Sequence, residues 1–455
     1  MARETERLAQ YVVHDSRAAV QDAAVADMAR EALWDWIGCT VAGARDSRVQ
    51  PLYQLGRRCP MPGGAVVVGR GETAHPLWAS VVNGAASHVL ELDDVERAAY
   101  LHPGIAPISA ALAAVALMPQ TGELDLLRAI VAGYEVGIRV GWAVNPSHYR
   151  FWHTSGTAGA FAAAAAAAVV LGLDCERTQW ALGNAGTEAA GLWQFNPDGA
   201  LTKPYHIGMA ALHGLLAALA AREGLSGAHR ILEGDQGFLA AMSDDPHPER
   251  LVNGLGEGTP AILGISRKRW ASCRFTHAPI DAVLKARQEG PITAVERILV
   301  ETFDTAVRVA GHTDPKTPQE AKFSIAYCCT LAWLTGRADV DGFDAAEQRA
   351  KPEFTDLFRR VEVRVNERFE SMIPDFMPAA VTVVWRDGRR TTYEVIHPVG
   401  DPEDPIRGPL LDDKVCGLLR SAGWPEEKIT RARRLVYALG DSAVNAHLAE
   451  LLTLL

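Results

Sequence analysis

The 455-residue sequence has no CxxC pair, no HExxH, no GxxxxGK followed by Ser or Thr, no GxSxG, and no GxGxxG placed after a strand. These absences leave dinucleotide, nucleotide and esterase chemistry without support and give a metal no fixed ligand spacing. Basic residues are outnumbered 45 to 55, for a net charge of -10, so there is no general electrostatic footprint for nucleic acid. Any anionic ligand must therefore be held by a local cluster. The seven cysteines (Cys39, Cys59, Cys175, Cys273, Cys328, Cys329, Cys416) are odd in number and scattered, the usage of a reduced compartment. The N-terminus carries no apolar leader core, and the expected location is cytoplasmic. Nothing charged lies between His153 and Asp174, but the centre of that run is alanine broken only by Phe161. Alanine is far less lipophilic than leucine, so the run predicts a buried helix with close neighbours and no membrane span.

What is present is a long, apolar chain: 48% hydrophobic and too large for one ordinary core. From about Gln21 to about Met242 the pattern is helix after helix. Ala24, Met28, Ala32, Trp36 and Cys39 follow the helical period, as do Leu212, Leu215, Leu216 and Leu219. After Gly264 the character changes to β-branched and partly alternating segments at Val295–Phe303, Val361–Val365 and Ala380–Trp385. The last runs through Asp387-Gly388 into Thr391–Ile396, the signature of a hairpin. The tail from about Asp412 is helical again. The expected fold is mainly α: a large helical domain from residues 1–264 and 400–455, with a smaller α+β lid over 265–399 carrying an antiparallel sheet.

Five segments concentrate groups that could carry chemistry. His88, Glu91, Asp93, Asp94 and His102 place three carboxylates and two imidazoles within fifteen residues, enough to tune a histidine for proton transfer. His153 precedes the alanine helix, whose first N–H groups form an anion site. Lys203, just before Pro204, falls at a helix start, where a cation is unfavourable unless an anion is also present. A bound carboxylate would resolve that conflict. Arg267-Lys268-Arg269 through Arg274 and His277 gathers cations at the domain junction, a favoured place for small-ligand sites; Lys268, Arg274 and His277 are the stronger candidates, and Arg267 and Arg269 read as a solvated face. Tyr327 offers a phenol that could hydrogen-bond a carboxylate or donate a proton.

Taken together these segments resemble the MmgE/PrpD family. The likeness runs in order from Leu33–Gly43 through Asn83–His88, Asp93-Asp94, His102-Pro103, His153-Thr-Ser-Gly, Asp198–Lys203, Cys273–His277 with Ile280–Ala282, and Ala321–Tyr327. The resemblance implies a helical domain built from both chain ends, an inserted lid, a homodimer, and a site between the domains needing neither metal nor cofactor. On it, Asp93, His102, His153, Lys203, Lys268 and Tyr327 fall on site-lining positions. Three positions depart: relatives show Asp-aromatic-Asp-Asp-Thr where this chain has Glu91-Leu92-Asp93-Asp94-Val95. The implied activity is that of a lyase on a small di- or tricarboxylate. His102, His153, Asp93 and Tyr327 would handle protons, and Lys203, Lys268, Arg274, His277 and Glu91 would bind or orient the acid. Dehydration is the first expectation, decarboxylation or epimerisation the neighbouring ones, and a non-catalytic carboxylate-binding protein the alternative of another class.

Overall fold

The computed structural model describes residues 3–58, 63–440 and 446–455. The first long helix, Ala23–Gly43, starts where the Asp22 carboxylate accepts hydrogen bonds from the N–H groups of Ala24 and Val25. Its buried residues recur around nearly the whole circumference, so it is a core helix with little solvated face.

At the centre of the helical body lies the alanine helix, Thr154–Val170, every residue of which is buried. It packs on the helices Ile105–Val115, Glu123–Val144, Cys175–Thr187 and Thr202–Arg222. Alanine gives up no side-chain entropy on burial, and its small size lets the neighbours come close. Glycines complete the fit: a Cβ at Gly137 would stand 2.8 Å from Ala162 Cβ, and one at Gly214 would stand 2.6 Å from the Ala160 carbonyl oxygen. Thr202–Arg222 is long and apolar enough to cross a membrane by composition, yet most of its apolar window is buried in this body.

The C-terminal helix Pro409–Ser421 returns to pack on Ala23–Gly43. Leu411, Val415, Leu419, Leu435 and Leu451 share one core with the N-terminal helices. A second core is built from residues between Trp270 and Val395, joined by Ala85, Ala86, Leu90 and Leu92 of the helical body. The segment around Leu90 thus belongs to the seam between the two cores.

The second core carries a four-stranded sheet. With β1 (Ala65–Val67) and β2 (Glu72–Ala74) forming a small hairpin earlier in the chain, its strands are β3 (Val295–Thr302), β4 (Val361–Val365), β5 (Ala379–Trp385) and β6 (Arg390–Val395), in the order β4-β3-β5-β6. β3/β5 and β5/β6 are antiparallel, and the β5–β6 turn has Gly388 at φ 85°, as the Asp-Gly pair requires. β4 joins β3 in parallel, pairing Val361 with Ile298 and Val363 with Val300, so the sheet is antiparallel with one parallel edge. Parallel pairing needs a long crossover, and the helices between Asp304 and Phe358 supply it. The β1–β2 hairpin lies inside the span that sequence pattern assigns wholly to helix. The described cysteines are all free, and Cys59 lies outside the described residues.

Candidate active site

The helix Pro76–His88 ends at the seam, and three residues later Glu91 takes φ 58°. A non-glycine residue held in the left-handed region stores backbone strain, which persists only where the surroundings over-determine it. Here they do: the reversal brings the side chains of His88, Glu91 and Asp93 together. His88 Nδ1 lies 2.9 Å and His102 Nδ1 2.7 Å from the same oxygen, Asp93 Oδ2. The two rings meet edge to face at 4.5 Å between centroids. Burial works to raise the Asp93 carboxyl, but the His102 and His88 imidazoles outweigh it and hold the group well below the usual carboxylate range. The carboxylate hydrogen-bonds His88 and stands within ion-pair distance of His102. Burial keeps His102 neutral, its pKa pushed down to about 3.

The loop bearing His102 is tied to the alanine helix, because the His102 N–H donates to Ser155 Oγ at 2.9 Å. Asp94 faces the other way. It accepts from the Tyr134 hydroxyl and, at 3.2 Å, from the Gly104 N–H, and burial pushes its pKa up to about 7. His153 sits immediately before the alanine helix, stacked 5.8 Å from the His88 ring and edge-on to Trp193. Burial and, after it, Lys203 hold His153 well below its ordinary pKa.

Two lysines flank Glu91, whose Oε1 also lies 3.7 Å from His88 Nε2. Lys203 Nζ is 2.5 Å from Glu91 Oε1, and Lys268 Nζ is 3.0 Å from Glu91 Oε2. All three side chains are almost wholly buried, at 3%, 0% and 2% exposure for Lys203, Lys268 and Glu91. Burial would raise the Glu91 carboxyl, but Lys203 and Lys268 hold it well below the carboxylate range. The anion demanded by a lysine at a helix start is thus supplied by the chain itself. The last departure, Val95, pairs its backbone with Ser266, which sets the Glu91–Asp93 segment alongside Lys268.

Not every expected residue joins this group. The Tyr327 hydroxyl donates to the Gly342 carbonyl at 2.9 Å, and its ring packs against Phe343 and Phe354 in the second core. Its polar atom is satisfied there, so a proton-donating role for Tyr327 is set aside. Arg274 is committed to Asp401, with His277 Nδ1 3.3 Å from its other nitrogen. This pair anchors the start of the lid to the segment that leaves it, and its guanidinium is not free for a ligand. His277 lies behind it, buried and held well below its ordinary pKa by burial, then by Arg274 and Lys268. Arg267 is buried rather than solvated, paired to Glu31 at 3.0 Å, while Arg269 is exposed.

One residue enters the site without having been singled out, and another, named with its segment but given no role of its own, proves central. His88 lies at its centre. Lys322 donates to the Leu90 carbonyl at 2.6 Å, and burial pushes its pKa down to about 7. The signal for Lys322 was its place in the apolar run Ala321–Tyr327, where a lone cation has no solvent to reach.

His88, Glu91 and His102 offer ligand atoms within 4.8 Å of one another. A metal cation there would meet two ammonium groups already holding both oxygens of Glu91, so this donor set does not suit one. The arrangement suits an organic anion instead: paired cations beside neutral imidazoles.

Residues 6–251 match the MmgE/PrpD N-terminal domain and residues 270–436 the MmgE/PrpD C-terminal domain. The chain is 26% identical to the cis-aconitate decarboxylase of Aspergillus terreus (strain NIH 2624 / FGSC A1156), over 94% of this chain and 91% of that protein. It is 29% identical to the cis-aconitate decarboxylase of Homo sapiens over 70% of this chain and 67% of that protein, and equally identical to the Mus musculus enzyme over 63% and 60%. With both domains matched in order along one chain, the protein belongs to the MmgE/PrpD family.

Proposed function

We propose that this protein is a lyase that decarboxylates a small polycarboxylate of the cis-aconitate kind. The observation that carries the reading is the juxtaposition of the Lys203–Glu91–Lys268 triad with the His88–Asp93–His102 group in one buried centre. Dehydration, the first expectation from sequence, gives way to decarboxylation because relatives aligned over most of the chain are decarboxylases.

Loss of CO₂ leaves an electron pair on carbon beside the remaining carboxylates. Lys203 and Lys268 spread that charge, a role worth roughly 3–4 kcal/mol per preorganised donor. A proton must then reach the carbon, and His102 and His153 are the groups in place. Burial holds both below their ordinary pKa, so each meets the substrate as a neutral imidazole carrying one ring hydrogen. Asp93 keeps His102 oriented throughout.

The test is product analysis with cis-aconitate and related acids in D₂O. CO₂ release with one deuterium fixed at carbon is expected. Loss of water without CO₂, exchange of an α-hydrogen alone, or ligand-induced stabilisation without turnover would each replace the reading, by a dehydratase, an epimerase or a binding protein respectively. Substituting His102→Ala should cut turnover by about a hundredfold or more while leaving the fold intact, and near-normal turnover would remove it from the mechanism.

A further inference from the structure

Decarboxylation exchanges a carboxylate for hydrogen, so each turnover consumes one proton from solvent. Of the two imidazoles in place to deliver it, His102 is partly exposed, but His153 is sealed off at 1% exposure. One side chain links His153 to an outer cavity. His206 lies one helical turn beyond Lys203 and is half-buried. It lines an open cavity of about 690 Å³ together with Trp152, Leu192, Tyr205 and His213. Its Nδ1 stands 3.4 Å from His153 Nδ1. Its ring is seated edge-on against Phe195 and over Gly191, where a Cβ would come within 3.2 Å of Nδ1. His153 Nε2, the other end of the inner ring, is buried and finds no partner among the described residues.

We propose that His206 is the proton entrance of the site, a relay acting through His153. In this arrangement His206 Nδ1–H donates to His153 Nδ1, which leaves the hydrogen of His153 on Nε2, facing inward. When that hydrogen passes to the substrate carbon, the shared hydrogen moves from His206 Nδ1 to His153 Nδ1, and a water in the outer cavity protonates His206 Nε2. One proton leaves solvent and one C–H bond forms. Reorientation of the rings restores the starting tautomers. The inference rests on the decarboxylase reading for its demand for a proton, but not for its geometry.

The experiment compares His206→Asn and His206→Phe in the full chain. For His206→Asn, kcat falls about tenfold or more with KM within twofold, and the solvent deuterium isotope effect on kcat rises. Added imidazole, which fits the vacated part of the cavity, restores kcat in proportion to its concentration. His206→Phe fills the space without a nitrogen, so it is slow and not rescued. Undiminished kcat in both variants, or a loss that imidazole does not lift in His206→Asn, overturns the relay. Should the wild-type protein release no CO₂ from any acid, the decarboxylase reading fails by itself, and the relay is read instead by ring ¹⁵N NMR. His206 carrying its hydrogen on Nδ1 and His153 on Nε2, with the His153 tautomer shifting in His206→Asn, supports it. Nδ1–H on both rings, or a His153 signal blind to the substitution, overturns it.

Discussion

Replacing Glu91 by Gln removes one negative charge and almost no volume, and it leaves two buried ammonium groups without their counter-ion. In the intact site Glu91 Oε1 serves Lys203 at 2.5 Å and Oε2 serves Lys268 at 3.0 Å. Removing one partner of a buried ion pair costs about 3–5 kcal/mol. Burial already holds Lys203 below its ordinary pKa, and loss of Glu91 lowers it further, so deprotonation of Lys203 caps its share of that cost. The expected loss of stability is therefore about 3–5 kcal/mol, read as a lower urea midpoint at unchanged m-value. Added cis-aconitate should then stabilise Glu91→Gln more than the wild type. In the variant a carboxylate meets unpaired lysines, whereas in the wild type it must first displace Glu91; ligand at a hundred times its Kd returns about 2.7 kcal/mol. A variant within about 1 kcal/mol of wild type, the margin of an ordinary surface pair, with equal anion-induced shifts in both proteins, would show that the triad is not the anchor of the site.

Two further outcomes follow from the geometry. His102, His148, His153 and His277 are all held below their ordinary pKa by burial, the first two at about 3 and about 4, so each binds a proton on unfolding below about pH 6.5. The unfolded chain then carries more protons than the native one. The histidine contribution to stability is complete above pH 6.5 and falls on acidification by up to about 1.4 kcal/mol per pH unit per histidine, while that of Asp94, raised to about 7, is lost as pH rises through about 7. Urea midpoints at pH 7.5, 6.5 and 5.5 measure this, and a flat series would contradict the neutral imidazoles. Tyr327→Phe should leave turnover within about twofold and lower stability by about 1 kcal/mol, since it only unpairs the Gly342 carbonyl; a large fall in kcat would bring Tyr327 back into the reaction.

The parts legible in the sequence are those governed by local periodicity. The β5–β6 hairpin follows from alternation around Asp387-Gly388, and the buried helix from an uncharged alanine run. Pairing direction is not local: β4 lies parallel to β3 because of a crossover of more than fifty residues, which no pattern within either strand records. The same division holds in the site. A lysine before Pro204 signals a need for an anion, but that the anion is Glu91, 112 residues earlier, is a tertiary fact. Tyr327 misleads because a hydroxyl in a polar-looking motif suggests function until its carbonyl partner is seen. Lys322 is overlooked because lysines ordinarily reach solvent, and this one cannot.

A central helix made mostly of methyl groups, with Phe161 its one large side chain, has little rotamer freedom to absorb a misfit. Its separation from each neighbour is set by backbone against backbone, and so is the placement of the imidazole at its first turn. One added methylene at Ala162 or Ala163 would be passed on as a shift of His153 rather than taken up nearby. Retuning the enzyme for a bulkier or differently charged acid must therefore begin at Glu91 and Lys268, whose flexible stems can be shortened or lengthened without moving the frame.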